Sequence, residues 1–300
     1  MLGALADNPI YLRERSRGGP AQMVVRILVG AYLALLYLAC LIIPLVAGQY
    51  VGIAFGVLYY GVLVTSPLAA SWIPPALVGA TLAGESEGGT LVGIVLSPYP
   101  RRRVLAGLLA ARLRVLLLFV LGLLPFFLSP LLFLGPLEKS VDQISGFLST
   151  RTFSAPVAKV SEAEMSVLEA VPPVDEPLAS RTGVRLGFVF FALWMTLFLF
   201  CEVIFAGAVS LLASLLTRST AAGIALGYVG VIFVPCLFGM FLAPIGVLFA
   251  LLSGPSGGTL SMQFSQQLIP QVLTFLFKLG IATGALLYAE RQLDQWDIAG

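Results

Sequence analysis

The stretch VRLGFVFFALWMTLFLFCEVIFAGAVSLLASLL, residues 184–216, decides the class of fold. Its only charged residues are Arg185 and Glu202. Because about 20 apolar residues are enough for a helix to cross the hydrocarbon core of a bilayer, this stretch predicts a transmembrane span. Other long apolar stretches predict further spans. The six predicted spans lie near residues 26–48, 52–83, 108–134, 184–216, 220–251 and 268–289.

The composition also indicates a membrane protein. The chain is 59% hydrophobic and 11% charged, with a mean hydropathy of +0.99, whereas about a quarter of the residues in a soluble domain are charged. The net charge of +2 suggests no nucleic-acid partner. The chain has no His, which excludes histidine-based catalysis and histidine metal sites. Cys40, Cys201 and Cys236 lie in apolar runs, where they are expected to be neither disulfide-bonded nor metal-bound.

Prolines predict interruptions in the second and fifth spans. A continuous helix over the fifth apolar stretch would be about 50 Å long, well beyond the bilayer core. We therefore expect a span near 220–240 and a re-entrant or interfacial piece near 241–252. The prolines are Pro67, Pro74 and Pro75 in the second span, and Pro235 and Pro244 in the fifth.

The distribution of Lys and Arg predicts that both termini are cytoplasmic. Residues 1–22 are polar and carry Arg13, Arg15 and Arg17 ahead of the first apolar run, which indicates that residues 1–25 form an interfacial segment rather than a cleaved signal peptide. With this orientation, residues 136–183 form the one long extracytosolic loop. Its apolar spacing predicts two short amphipathic helices on the outer face, with a disordered linker as the alternative.

Two ionisable residues lie deep in predicted spans. Glu202 is near the middle of the fourth span and Lys278 near the middle of the sixth, at similar depth. A charge at the bilayer centre costs about 3 kcal/mol on insertion scales, so such residues usually pair or face a cavity. The two could form an ion pair that ties two helices together. A substrate or conformational-switch role, or separate contacts with water, are the alternatives.

Sequence motifs for catalysis are weak or absent. The chain has no phosphate-binding P-loop pattern. Residues 254–258 match G-x-S-x-G, but a serine nucleophile there would lack a histidine base. Neither Cys nor acidic residues show metal-ligand spacing. We therefore expect no catalytic residue, no metal and no cofactor bound by this chain, which would not be an enzyme by itself.

A short polar segment separates the second and third predicted spans. It reads Glu85-Ser86-Glu87-Gly88-Gly89-Thr90-Leu91 and continues to Leu96-Ser97-Pro98. A segment this short cannot fold as a domain, so we expect a cytoplasmic partner to bind it. The following Arg101-Arg102-Arg103 predicts an interfacial anchor to anionic membrane lipid.

This arrangement resembles the membrane (permease) subunit of type-2 ATP-binding-cassette transporters. The polar segment, followed by Gly107, is similar to the acidic Gly-Thr-Leu coupling segment of that family. Further similar features are Asn8-Pro9-Ile10 with Arg13-Glu14, the small-residue run Leu211 to Ala222 around Arg218, and the charged end Glu290-Arg291. The chain departs from the pattern at Val92, where the family often has Glu, and at Leu108, where a Lys is common.

The resemblance implies an all-α membrane protein with six transmembrane helices, forming one transmembrane domain over residues 1–300. A short cytoplasmic coupling helix would lie between spans two and three, within residues 84–107. A separate ATPase subunit would use ATP and Mg, and a second permease subunit would complete a homodimer or heterodimer in the plasma (bacterial inner) membrane. The implied ATPase-coupling residues are Glu85, Glu87, Gly88, Gly89, Thr90, Leu91, Ile94, Ser97 and Pro98.

Two other functions fit the sequence. A gradient-driven secondary transporter would use charged or broken helices at the midplane, although no internal repeat is visible. A non-transporting membrane scaffold would assemble partners through its outer loop. The small-residue face of Gly223, Gly227 and Gly230 allows close helix packing, either within the chain or with a second subunit. Nothing in the sequence selects a cargo.

Overall fold

The regular elements of the chain are α-helices. The computed structural model describes residues 11–12, 20–47, 50–88, 99–132, 182–217, 219–252 and 260–298, with side chains over 11–12, 22–47, 50–88, 99–132, 185–217, 219–236 and 271–295. The predicted outer-loop helices, the G-x-S-x-G match at 254–258, and the N-terminal motif residues Asn8-Pro9-Ile10 and Arg13-Glu14 lie outside these residues. The helices are α1 Pro20–Val46, α2 Val51–Val78, α3 Thr81–Glu87, α4 Arg101–Leu128, α5 Thr182–Leu216, α6 Thr220–Leu252 and α7 Leu260–Ile298.

Five of the apolar segments are long enough to cross a bilayer. They are Gln22–Val46, Val51–Glu87, Arg101–Leu132, Arg185–Leu216 and Gln271–Gln295. In α6 the described side chains cover Thr220–Cys236, which is also apolar. Much of this apolar surface faces outward: Leu41 and Leu45 of α1 are 69% and 84% exposed. Water would make such a surface strongly unfavourable, whereas lipid does not. The helices therefore define a multi-pass membrane protein.

The prolines interrupt the helices less than the sequence predicted. Helix α2 continues through Pro67, Pro74 and Pro75, and the chain turns only at Gly79–Ala80. Helix α6 is one element from Thr220 to Leu252, so the predicted division near residue 240 is wrong. A proline removes one backbone donor and bends a helix, but packing against neighbouring helices can carry the helix through it.

Contacts divide the chain into two compact units. The first comprises Met1–Tyr32, Val64–Leu121 and Thr196–Gly300, and the second comprises Leu33–Leu63 and Gly122–Met195. The second unit contains an aromatic cluster of Phe55, Tyr59, Phe126 and Phe127, in which the rings of Tyr59 and Phe126 stack at 5.5 Å between centroids. In the same unit, Tyr37 Oη donates a hydrogen bond of 2.5 Å to the carbonyl oxygen of Gly122.

Helix α5 is the central element of the first unit. Its Phe205 and Ala208 pack with Ala282 and Ala285 of α7. On another side Gly207 lies so close to α4 that an added Cβ would meet Leu109 Cδ1 at 3.0 Å. Such close approach lets α5 contact several helices at once, and this places its polar side chains where other helices can reach them.

The glycines of α6 pack against other parts of the same chain. A Cβ on Gly223 would meet Ser214 Cα of α5 at 3.3 Å, and one on Gly227 would meet Ser210 Oγ at 3.2 Å and Pro75 Cβ of α2 at 3.5 Å. A Cβ on Gly230 would meet Val209 Cγ1 at 2.6 Å. The small-residue face therefore seats α6 on α5 and on the end of α2.

Candidate functional site

A buried polar centre lies in the first unit, formed by Ser71 of α2, Glu202 of α5 and Lys278 of α7. The structure contains the ion pair that the similar depth of Glu202 and Lys278 allowed: Lys278 Nζ contacts Glu202 Oε2. Glu202 is 4% exposed and Lys278 is 7% exposed. The two charges are therefore withdrawn from lipid and water and compensate each other.

Ser71 is the member of this centre that the sequence did not reveal. Its Oγ lies 2.7 Å from Glu202 Oε1 and 2.9 Å from the carbonyl oxygen of Pro67. A hydroxyl has one hydrogen to donate, so Ser71 serves one of these acceptors at a time. Lys278 contacts Oε2 of Glu202, and Ser71 contacts the other carboxylate oxygen, Oε1. Glu202 therefore connects three helices rather than two.

Aromatic rings surround the ammonium group of this centre. Lys278 Nζ lies 5.4 Å from the ring centroid of Phe198 and 5.7 Å from that of Phe205, both on α5. The face of an aromatic ring attracts a cation, most strongly where water is excluded. The rings and the carboxylate together hold the Lys278 head group against α5.

The end of α3 forms a second polar cluster, also in the first unit. Glu87 Oε1 accepts a hydrogen bond of 2.8 Å from the backbone N–H of Thr220, and Glu87 Oε2 is 2.5 Å from Thr220 Oγ1. At the other end of α3, Ser214 Oγ accepts hydrogen bonds of 2.9 Å from the backbone N–H groups of Leu82 and Ala83.

The predicted ATPase-coupling residues are only partly described by the structure. Glu85 is half-buried on α3, Glu87 is exposed at its end, and Gly88 is the C-cap with a φ of −80°. That φ is open to any residue, so the Gly88 turn does not depend on glycine. The remaining coupling residues, Gly89, Thr90, Leu91, Ile94, Ser97 and Pro98, lie outside the described residues, as does the predicted helix that they would form.

The basic triplet after this segment contacts other side chains. Arg101 to Arg103 form the first turn of α4, which begins before the predicted start of the span near residue 108. Arg102 Nε lies 2.9 and 2.6 Å from the two carboxylate oxygens of Glu290 on α7, and Arg101 Nε lies 3.8 Å from Asp294 Oδ1. The guanidinium group of Arg103 lies 5.7 Å from the ring centroid of Tyr99. Their role as a lipid anchor stays a prediction.

Leu108, which stands where Lys is common in the family that the chain resembles, is a buried residue in the structure. Leu108 is 1% exposed on α4. A lysine there would bury a charge, which is costly unless a partner compensates it, so leucine suits this buried position. Cys40, Cys201 and Cys236 are all free thiols. Within the described part of the chain no group of three His, Cys, Asp or Glu side chains could hold a metal ion.

Comparisons of the chain with models of known protein families, with curated proteins and with solved structures give no match.

Proposed function

We propose that this chain is the permease subunit of an ATP-driven type-2 exporter, in which a separate ATPase subunit binds the segment from residue 85 to 98. Two permease subunits would form the pathway in the plasma (bacterial inner) membrane. ATP and Mg would bind to the partner ATPase. Closure of the ATPase subunits would push on this segment and rock the spans from inward-facing to outward-facing.

The position of the acidic segment carries this proposal. Glu85 and Glu87 lie at the end of the short helix α3, which is the last part of the second long apolar segment Val51–Glu87, and Arg101 opens the third. This order matches the resemblance given above, where the coupling segment lies between spans two and three. Glu85 is half-buried and Glu87 is exposed, so the end of α3 is open to solvent, where a soluble partner could reach the chain.

Co-purification tests the proposal. We would purify the parent chain from its native membrane in mild detergent, identify bound proteins by mass spectrometry and assay ATP hydrolysis. The coupling variant is Gly89→Asp with Leu91→Asp. A matched control is Gly146→Asp with Leu148→Asp, which makes the same two changes at the same spacing in the predicted outer loop.

We expect a P-loop ATPase with the parent and the control, and its loss from the coupling variant, because two added carboxylates would oppose an apolar docking contact. Absence of any ATPase from the parent in several mild detergents would overturn the proposal. Equal loss from the control would overturn the assignment of the 85–98 segment while leaving the ATPase partnership in place.

A gradient-driven secondary transporter is the second candidate function. The observation that favours it is the buried polar centre, since charged residues inside transporters often mark ion or proton paths. In that case, transport by the reconstituted chain would follow an imposed ion gradient and would need no ATP. Gradient-independent, ATP-dependent transport would exclude this candidate.

A further inference from the structure

The carboxylate of Glu87 is hydrogen-bonded within the chain. Both of its oxygens bind Thr220, one through the backbone N–H and the other through the side-chain hydroxyl. Thr220 opens α6, because the N–H of Gly223 already donates to the carbonyl oxygen of Ser219 at 2.9 Å. The first amide N–H groups of a helix have no acceptor within that helix. Glu87 therefore provides the acceptor for the Thr220 N–H, which α6 itself leaves without one.

The contact is also favourable electrostatically. A helix N-terminus carries a partial positive charge, and a carboxylate placed there forms a stronger hydrogen bond than a neutral acceptor would. Glu87 thus caps α6 from a different helix. The two bonds to Thr220 fix the position of the Glu87 carboxylate, although each of its oxygens retains a second acceptor site.

The opposite end of α3 is attached to α5 in a similar way. The N-cap residue Ala80 has no side-chain oxygen to offer, and Ser214 supplies the acceptor for Leu82 and Ala83 instead. Just before α3 the two backbones also approach closely, since a Cβ on Gly79 would meet Ile224 Cα of α6 at 2.9 Å. Helix α3 is therefore fixed at both ends to the α5–α6 region.

We propose that Glu87 is a positioning residue that transmits movement of the coupling segment to α6, rather than a contact of the ATPase. This inference rests on the proposed function. It describes how movement that an ATPase causes in the 85–98 segment would reach α6. Displacement of the segment after Gly88 would pull the end of α3, and the Glu87–Thr220 bonds would carry the start of α6 with it.

The experiment uses the full chain with its co-purified ATPase. The variants are Glu87→Ala, Thr220→Val and the two combined. Thr220→Ser serves as the conservative variant that keeps the hydroxyl. The matched control is Thr283→Val on α7, where the hydroxyl bonds only to the Leu279 carbonyl oxygen of its own helix among the described residues.

Three quantities are measured. The first is the amount of ATPase bound per chain. The second is the melting temperature of the chain without ATPase. The third is the labelling rate by a maleimide of a reporter cysteine, Ala222→Cys, on the exposed first turn of α6. The rate is compared with and without ATP plus vanadate, and is followed at the reporter peptide by mass spectrometry so that native cysteines do not interfere.

We expect the bound ATPase to stay within about twofold of the parent level in all variants. Nucleotide should change the labelling rate about fivefold or more in the parent, in Thr220→Ser and in Thr283→Val. The change should be lost in Glu87→Ala and greatly reduced in Thr220→Val. The melting shifts of the two single variants should not add in the double variant, because both break the same contact.

Each other outcome contradicts the inference in a distinct way. Loss of the ATPase from Glu87→Ala, but not from Thr220→Val, would show that Glu87 contacts the ATPase directly. An unchanged nucleotide response in Glu87→Ala would reduce the contact to a purely structural one. If the parent itself carries no ATPase, the proposed function fails. Non-additive melting shifts in that case would show that the Glu87–Thr220 contact exists but has no role in coupling to an ATPase.

Discussion

Helix α7 forms ion pairs at two places, and their surroundings differ. Lys278 pairs with Glu202 at a site where both side chains are almost fully buried, 9% and 5% exposed. Three turns further on, Glu290 pairs with Arg102, where the Arg102 side chain is 74% exposed and the Glu290 side chain 20%. Each pair combines a carboxylate with a cation, an ammonium group at Lys278 and a guanidinium group at Arg102, and each joins α7 to another helix. The pairs also differ in access to solvent.

This difference determines what each pair can contribute. Solvent-exposed ion pairs contribute about 0–1 kcal/mol, because the solvated groups lose little when separated. A buried charge that loses its partner remains without solvation, and removal of one partner costs about 3–5 kcal/mol. The buried pair is therefore sensitive to one-sided changes, whereas the exposed pair tolerates them.

The largest expected effect comes from Lys278→Met. This change leaves Glu202 buried with Ser71 as its remaining partner among the described side chains, and we expect destabilisation of about 3–5 kcal/mol. Unfolding of the purified chain in detergent measures it.

Two double variants serve as controls for that loss. Adding Glu202→Gln to Lys278→Met removes both charges and should recover much of the stability. Exchanging the charges, with Glu202→Lys and Lys278→Glu, should perform better than Glu202→Lys alone. If neither double variant improves on its single variant, the pair has no energetic coupling and the comparison with the exposed pair fails.

A smaller effect is expected from Ser71→Ala, which removes one hydrogen bond to the Glu202 carboxylate but leaves the ion pair. We expect a loss of about 1–2 kcal/mol in the same unfolding measurement, in the range for hydrogen bonds to charged groups. Ser66→Ala is the matched control on the same helix: Ser66 is buried, and its Oγ has no partner among the residues that the structure describes. That substitution should be neutral or slightly stabilising, and equal losses at both serines would refute a specific role for Ser71.

The smallest effect is expected from Arg102→Gln at the exposed pair. The loss should stay below about 1 kcal/mol and should shrink further at 1 M salt, where charges are screened beyond about 3 Å. Unfolding at low and high salt provides the measurement. A loss as large as that of Lys278→Met, or one independent of salt, would contradict the distinction between the two pairs.

The apolar segments and the depth of their charges could be predicted from the sequence. Apolar length sets where spans lie, and counting from span ends placed Glu202 and Lys278 at similar depth. The helix ends were less accessible to prediction, since hydropathy does not register polar turns such as Arg101–Arg103 that extend a helix beyond the apolar core.

The partners of small polar residues could not be predicted. Ser71 is 131 residues from Glu202 and Thr220 is 133 residues from Glu87. Ser71 looks no different in sequence from Thr65 or Ser66 on the same helix, and only the packing of α2 against α5 singles it out. The same applies to Gly223, whose spacing predicted a close contact without identifying the helix on the other side.

The polar centre also has a consequence for biosynthesis. Its members are made in the order Ser71, Glu202 and Lys278, and the last two are 76 residues apart. At roughly 5–20 residues per second, Glu202 exists for about 4–15 s before the ribosome adds Lys278. During that interval Ser71 is the partner already synthesised. A newly made chain therefore completes this centre only when α7 joins the other helices, which makes the arrival of α7 a late step of membrane assembly.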